Sequence, residues 1–202
     1  MVIRVLFVIA LLFSSAAFAT PAILVFGDSL SAAYGIPQEK GWVNLLRGRL
    51  AQEKYGYQVI NASISGETTA GGASRIEAAL TTQRPAIVIL ELGANDGLRG
   101  LPLADIQRNL ASIIAASQKN GARVLLVGMR LPPNYGMFYA GKFQQLYADL
   151  AKRQRLAFVP FMLEGIADRQ NLFQADGLHP IAQAQPRIME TIWKQLRPLL
   201  SH

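Results

Sequence analysis

The 202-residue chain has no cysteine and only two histidines. Without cysteine there is no disulfide, no thiolate metal site and no cysteine nucleophile. One histidine, His202, is the terminal residue, so His179 is the only histidine set inside the chain. A single interior imidazole does not build a metal centre, and neither a metal nor a cofactor is expected. Acidic residues are also scarce, 13 against 20 lysines and arginines, for a net charge of +7. A basic chain can serve nucleic acid or an anionic membrane surface. Here the basic residues are scattered, with no dense cluster interleaved with aromatics. Nucleic acid is therefore not an expected partner, and membrane-surface contact is expected to be weak at most.

The sequence also lacks a long hydrophobic run. Val5–Phe13 is apolar throughout, but a bilayer span needs about 20 such residues. Arg4 precedes this run, and Ala17-Phe18-Ala19 ends the small residues that follow it. That is the layout of a cleavable export signal. Residues 1–19 are read as a signal peptide and residues 20–202 as one domain, exported to the periplasm or the medium. No cysteine stands before Thr20 to carry a lipid anchor. Repeats and low-complexity linkers are absent too, and the mature length is enough for a full hydrophobic core.

What the chain does have is alternation. Short apolar runs at Ile23–Phe26, Gln58–Asn61, Ile87–Leu92, Val124–Gly128 and Ala157–Pro160 read as strands. Between them, apolar residues recur three and four apart: Ile106, Leu110, Ile113 and Ile114, then Phe143, Leu146, Tyr147 and Leu150. Ile188, Ile192, Trp193 and Leu196 mark a last helix, with Pro186 near its first turn, where proline is tolerated. Strands alternating with helices predict an α/β fold with a parallel sheet covered on both faces. In such sheets ligands bind beyond the carboxyl ends of the strands, so chemically loaded residues should follow strands.

They do. "GDSLS" with Ser29 follows the first strand, "NASISGETT" with Gly66 the second, and "ELGANDGLRG" with Asn95 and Asp96 the third. "QADGLHP", with Asp176 and His179, comes after the fifth across a loop. Ser29 alone could be a helix cap, since a strand-to-helix junction favours serine. His179 alone could be a helix-start or core histidine. Asp176 shifts that balance: three residues upstream on a tight turn eased by Gly177, its carboxylate can hold the imidazole in the tautomer that accepts a serine proton. Ser29, Asp176 and His179 are thus candidate nucleophile, orienting carboxylate and base, in a chain order that serine hydrolases use. An oxyanion would find donors in the backbone N–H of Ser29, the N–H of Gly66 and the Asn95 amide. Asp28 and Asp96 are read as structural, bonding nearby backbone. Residues 67–74 are expected to open a helix.

These four blocks, in order and spacing, resemble the SGNH (GDSL) hydrolase family across the whole mature chain. "INASISGETT", "LPPNYG" and "DGLHP" are most like its bacterial periplasmic thioesterase, lysophospholipase and arylesterase branch. The resemblance implies a flavodoxin-like three-layer α/β/α sandwich with five parallel strands. It implies a serine esterase acting on acyl or aryl esters and thioesters through an acyl-enzyme. By the same analogy Ser29, Asp176 and His179 are catalytic, and Gly66 and Asn95 are the oxyanion donors. The expected partners are small-molecule esters, including lysophospholipids, and the expected state is a monomer. Two positions depart from the family: Ala94 stands where the second glycine of Gly-Gly-Asn-Asp is common, and Ile181 where asparagine often follows His-Pro. A methyl at Ala94 is tolerated only if φ there is ordinary. Two alternatives remain, a carbohydrate acetylesterase using the same residues and a non-catalytic lipid- or glycan-binding scaffold. The loop Leu131–Met137, with Phe138 and Tyr139 nearby, is expected to line an apolar groove. Activity is expected to rise with pH as His179 loses its proton.

Overall fold

The computed structural model describes residues 20–201; the expected leader (1–19) and His202 lie outside them. Five strands form one parallel sheet: β1 (Ala22–Gly27), β2 (Gln58–Asn61), β3 (Ile87–Glu91), β4 (Arg123–Val127) and β5 (Ala157–Val159). Their order is β2-β1-β3-β4-β5, and every pair is parallel, as in Ile23 opposite both Val59 and Ile87. That is the flavodoxin-like order, in which the chain reverses its direction of growth between β1 and β3. All five strands lie within a residue or so of their expected bounds.

β1 and β3 are buried along their full length, which is why they read as unbroken apolar runs. A strand with a helix on each face has no polar side to show. Helices α1 (Trp42–Gln52) and α6 (Gln185–Leu196) pack together on one side. On the other side α2 (Thr69–Gln83) packs on α4 (Leu103–Lys119), and α4 on α5 (Met137–Gln154). A short helix, α3 (Ala94–Leu98), follows β3. The periodic residues face inward as expected: Ile106, Leu110, Ile113 and Ile114 from α4, Phe143, Leu146, Tyr147 and Leu150 from α5, and Ile188, Ile192, Trp193 and Leu196 from α6 are all buried. Each such side chain removed from water contributes about 1.5–3 kcal/mol.

Pro186 sits in the first turn of α6, and Ile181 precedes a short 3-10 turn at Ala182–Ala184. Buried Gln185 joins distant parts of the chain. Its Oε1 accepts from the Trp42 N–H (3.0 Å) at the start of α1, and its Nε2 donates to the Pro180 carbonyl (3.4 Å).

Candidate active site

The loops after β1, β2, β3 and β5 converge at the carboxyl edge of the sheet. At the end of β1, Gly27 lies so close to β3 that a Cβ there would meet Glu91 Oε2 at 2.6 Å and the Ser31 hydroxyl at 2.9 Å. The next residue, Asp28, shapes the turn. Its Oδ1 accepts from the Leu30 N–H (3.0 Å), and its carbonyl accepts from Ser31 (3.2 Å) and Ala32 (2.9 Å). No helix starts at Ser29, contrary to the junction read from the sequence. Ala33 (φ 60°) and Gly35 (φ 71°) adopt left-handed conformations that stop helical propagation, and the next α-helix waits until Trp42. Ser29 therefore stands on a tight turn rather than capping a helix.

His179 reaches Ser29 from the far side of the cleft. Its Nε2 lies 2.9 Å from Ser29 Oγ, and its Nδ1 lies 2.7 Å from Asp176 Oδ2. The other Asp176 oxygen accepts from the Leu178 (2.9 Å) and His179 (3.0 Å) N–H groups, and Gly177 provides the positive φ (68°) that the turn needs. Burial would raise the Asp176 pKa, but those two N–H donors and the imidazole outweigh it and hold the group down at about 2. An ionised Asp176 keeps the proton on Nδ1, so Nε2 accepts from the serine hydroxyl. Outside this contact, the Tyr34 ring packs against the imidazole with centroids 4.5 Å apart. Gln174 ties the two loops together, its amide donating to the Tyr34 carbonyl (2.8 Å).

Gly66 lies on the loop after β2 with φ 80°. Neither its N–H nor that of Ser29 has a hydrogen-bond partner among the described residues. Three cationic or amide groups hold this loop. Arg75 donates to the Ala62 carbonyl (2.9 Å) and to Glu67 Oε2 (2.6 Å), with its guanidinium over the Phe26 ring. Arg99 donates to the Gly66 carbonyl (3.3 Å). The Asn95 amide donates to the Glu67 carbonyl (3.0 Å) and to Asp28 Oδ2 (3.1 Å). Ala94 keeps an ordinary backbone; the positive φ (112°) falls on Gly93, where a Cβ would collide with the Tyr147 hydroxyl. The alanine therefore leaves Asn95 in place. Asp96 accepts from Thr69 N–H (2.9 Å) and Oγ1 (2.6 Å), which ties α3 to the start of α2. Residues 67–74 do open a helix, with Thr68 as its cap.

One group behind the site escaped the sequence reading. Glu91 is fully buried, accepts from the Ser31 hydroxyl (2.6 Å), and has its other carboxylate oxygen without a partner. Burial, with the charge of Asp28 added, raises its pKa well above the usual carboxylate range. Burial likewise pushes Asp28 up to about 6, against the hydrogen bonds that lower it. A glutamate at a strand end usually meets water, and nothing in the spacing announces that this one is sealed under Ser31.

Ser29, Asn95 and His179 border a cleft of about 670 Å³. Its apolar walls come from Leu98, Met129, Leu131, Phe161, Leu163 and Phe173. Only the start of the loop expected to line it, Leu131 and Pro132, does so. Met137 and Phe138 point into solvent instead, and the Tyr139 hydroxyl is spent on the Leu101 carbonyl (2.7 Å). The first turn of α5 leaves these side chains outside the cleft lining. Among the described residues no cluster of three His, Asp or Glu side chains could hold a metal, and no helix is long and apolar enough to cross a membrane.

Residues 25–185 match the model of the GDSL-like lipase/acylhydrolase family. The chain is 51% identical to the esterase TesA of Pseudomonas aeruginosa over 90% of each chain. It is 39% identical to the thioesterase 1/protease 1/lysophospholipase L1 of Escherichia coli (strain K12), over 98% of this chain and 92% of the relative. The crystal structure of TesA superposes with a TM-score of 0.87, covering 89% of this chain and 99% of the other.

Proposed function

The chain belongs to the GDSL-like lipase/acylhydrolase family, and from that premise we propose that it is a serine esterase working through Ser29, His179 and Asp176. The observation that carries this reading is the 2.9 Å approach of Ser29 Oγ to an imidazole braced at 2.7 Å by an ionised carboxylate. As Ser29 attacks the acyl carbonyl, His179 Nε2 takes its proton, and Asp176 stabilises the imidazolium. The same nitrogen returns the proton to the departing alcohol or thiol. Water then repeats the cycle on the acyl-enzyme and releases the acid.

The tetrahedral oxyanion is held by the unpartnered N–H groups of Ser29 and Gly66 and by the Asn95 amide. Asn95 enters with both amide hydrogens engaged, so it serves the oxyanion by exchanging its bond to the Glu67 carbonyl. Asp28 keeps hold of it meanwhile. Apolar cleft walls favour an acyl or aryl chain over a sugar ring. The substrates in this reading are medium- to long-chain esters, including lysophospholipids, with thioesters as a further activity. Residues 1–19 act as the export leader, and residues 20–202 work outside the cytoplasm as one domain. Coenzyme A esters, being cytoplasmic, are then not the physiological substrate.

The test is kcat/KM on p-nitrophenyl esters from acetyl to palmitoyl, with Ser29→Ala as the blank. A maximum at medium or long chains is expected, and an inert blank. A maximum at acetyl points to a short-chain or carbohydrate esterase. Wild type no faster than the blank at any length overturns the enzyme reading.

A further inference from the structure

The exposed large hydrophobic side chains among the described residues are Tyr34, Ile64, Met137, Phe138 and Leu178. Every one lies at the same edge of the molecule. Tyr34 is on the loop after β1, Ile64 on the loop after β2, Met137 and Phe138 open α5 after β4, and Leu178 is on the loop after β5. Among the described residues the rest of the surface, with its helices and the opposite sheet edge, has none. Scattered single exposures are normal in proteins, but exposures gathered on one face mark an interaction surface.

Met137 and Phe138 stand furthest out, at 92% and 81% exposure. They are adjacent and line no part of the cleft. Cations stand beside these apolar points. Lys142, itself exposed, lies 5.9 Å from the centre of the Phe138 ring. Exposed Arg99 bonds the Gly66 carbonyl, two residues from Ile64. Arg130, also exposed, follows β4. Its partner, Glu164, is a looser 3.9 Å away. An apolar rim carrying cations, on a chain of net charge +7, or +6 without the Arg4 of the expected leader, is the complement of an anionic lipid surface. There aromatic and aliphatic tips enter the acyl boundary while lysine and arginine remain among the head groups.

We propose that this enzyme docks on anionic phospholipid surfaces through the rim of its own cleft, with Met137 and Phe138 as the inserting wedge and Lys142 and Arg99 as head-group contacts. The proposal rests on the esterase reading and adds where the substrate is met. Docked in this way, the mouth between Ser29 and Leu131 opens onto the lipid, and a lysophospholipid or fatty ester passes into the apolar walls without crossing water. A soluble ester needs no such docking.

The experiment compares wild type with Met137→Ser/Phe138→Ser and, separately, Lys142→Glu. Binding is measured by co-sedimentation with vesicles of phosphatidylcholine alone and of phosphatidylcholine with phosphatidylglycerol. Hydrolysis is measured on water-soluble p-nitrophenyl butyrate and on lysophosphatidylglycerol held in the vesicles. Wild type is expected to bind the anionic vesicles, to be released by added salt, and to leave neutral vesicles largely unbound. The double variant should lose about tenfold or more in vesicle binding and in hydrolysis of the embedded ester, while its rate on the soluble ester stays within about twofold. Lys142→Glu should weaken binding to anionic vesicles alone. Failure of wild type to bind either vesicle overturns the docking proposal, as does equal binding to both kinds, or a double variant that binds like wild type. A wild type inert on p-nitrophenyl esters of every chain length sinks the esterase reading instead, whatever the vesicles show.

Discussion

On the β1–β3 side of the reactive edge, the groups behind Ser29 and Asn95 are sealed from water. Asp28, Glu91 and Asp96 are all buried, and each has partners reached across at least 27 residues of sequence. On the β5 side, Asp176 keeps 39% of its side chain exposed and His179 keeps 21%. This side relies mostly on short local bonds, Asp176 accepting from the Leu178 and His179 N–H groups and the Gln174 N–H donating to the His179 carbonyl, beside the longer tie of Gln174 to Tyr34. The difference fits the work that the proposed mechanism gives each side. Oxyanion donors act only if they already point at the developing charge, which a dry, over-determined frame provides. A general base must take a proton and hand it on to a leaving group or water, which suits a braced ring at the solvent boundary. Rate and stability should therefore be coupled on the sealed side and separable on the open one.

The largest effect falls on the open side. His179→Ala is expected to lose at least about ten-thousandfold in kcat, with a melting temperature within about 2 °C of wild type. A large drop in melting temperature would break the comparison, because the ring would then be a structural support. On the sealed side, Asn95→Ala should cost about a hundred- to a thousandfold in kcat with KM little changed. It should also cost about 1–3 kcal/mol of stability, since a buried Asp28 oxygen loses its donor. Kinetics and thermal melts on one preparation check both, and loss of rate without loss of stability would uncouple them.

Protonation sharpens the contrast. Asp28 titrates at about 6 in the fold against an ordinary 3.8. Between those values the folded protein holds a proton that the unfolded chain has released, so stability falls as pH rises through this window. Glu91, whose pKa burial and the Asp28 charge also raise, adds to the same trend. Glu91→Gln removes the like charge under Asp28, and melting curves should show a variant more stable than wild type at pH 8 and a flatter pH dependence. Asp176, held down at about 2, is ionised in both the folded and the unfolded chain above about pH 5 and adds slope only below that, in the opposite sense. The smallest effect is expected from Gln174→Ala, which removes the tie between the Tyr34 and His179 loops. It should lower kcat/KM by about fivefold, the worth of one ordinary hydrogen bond, and leave the melting temperature unchanged.

Local patterns in the sequence account for most of the frame. Five apolar runs and three helical stripes became strands and buried helix faces because a doubly covered sheet imposes those periods directly. The residues brought together around Ser29 were legible because each follows a strand, and strand ends share one edge. Contacts between remote residues left no such mark. Arg75 reads as one basic residue on an ordinary helix, yet it clasps both ends of the Gly66 loop. Glu91 reads as the polar end of a strand, yet it lies under Ser31. Serine before a run of small residues suggested a helix start, and only the positive φ of Ala33 and Gly35 shows why the chain turns instead. Phe161 and Met129 wall the cleft in place of Phe138 and Tyr139 because the direction of a helix's first turn is set by packing.

The bond between Ser29 and His179 spans 150 residues, and the Gln185 bridge fastens the segment just past His179 to the head of α1. In the proposed mechanism hydrolysis therefore begins only after the last strand and last helix have docked on the first. Regain of activity during refolding should trail the return of helical signal and coincide with burial of Trp42 and Trp193. A chain still being translated would then be inert toward the esters of the cell that makes it.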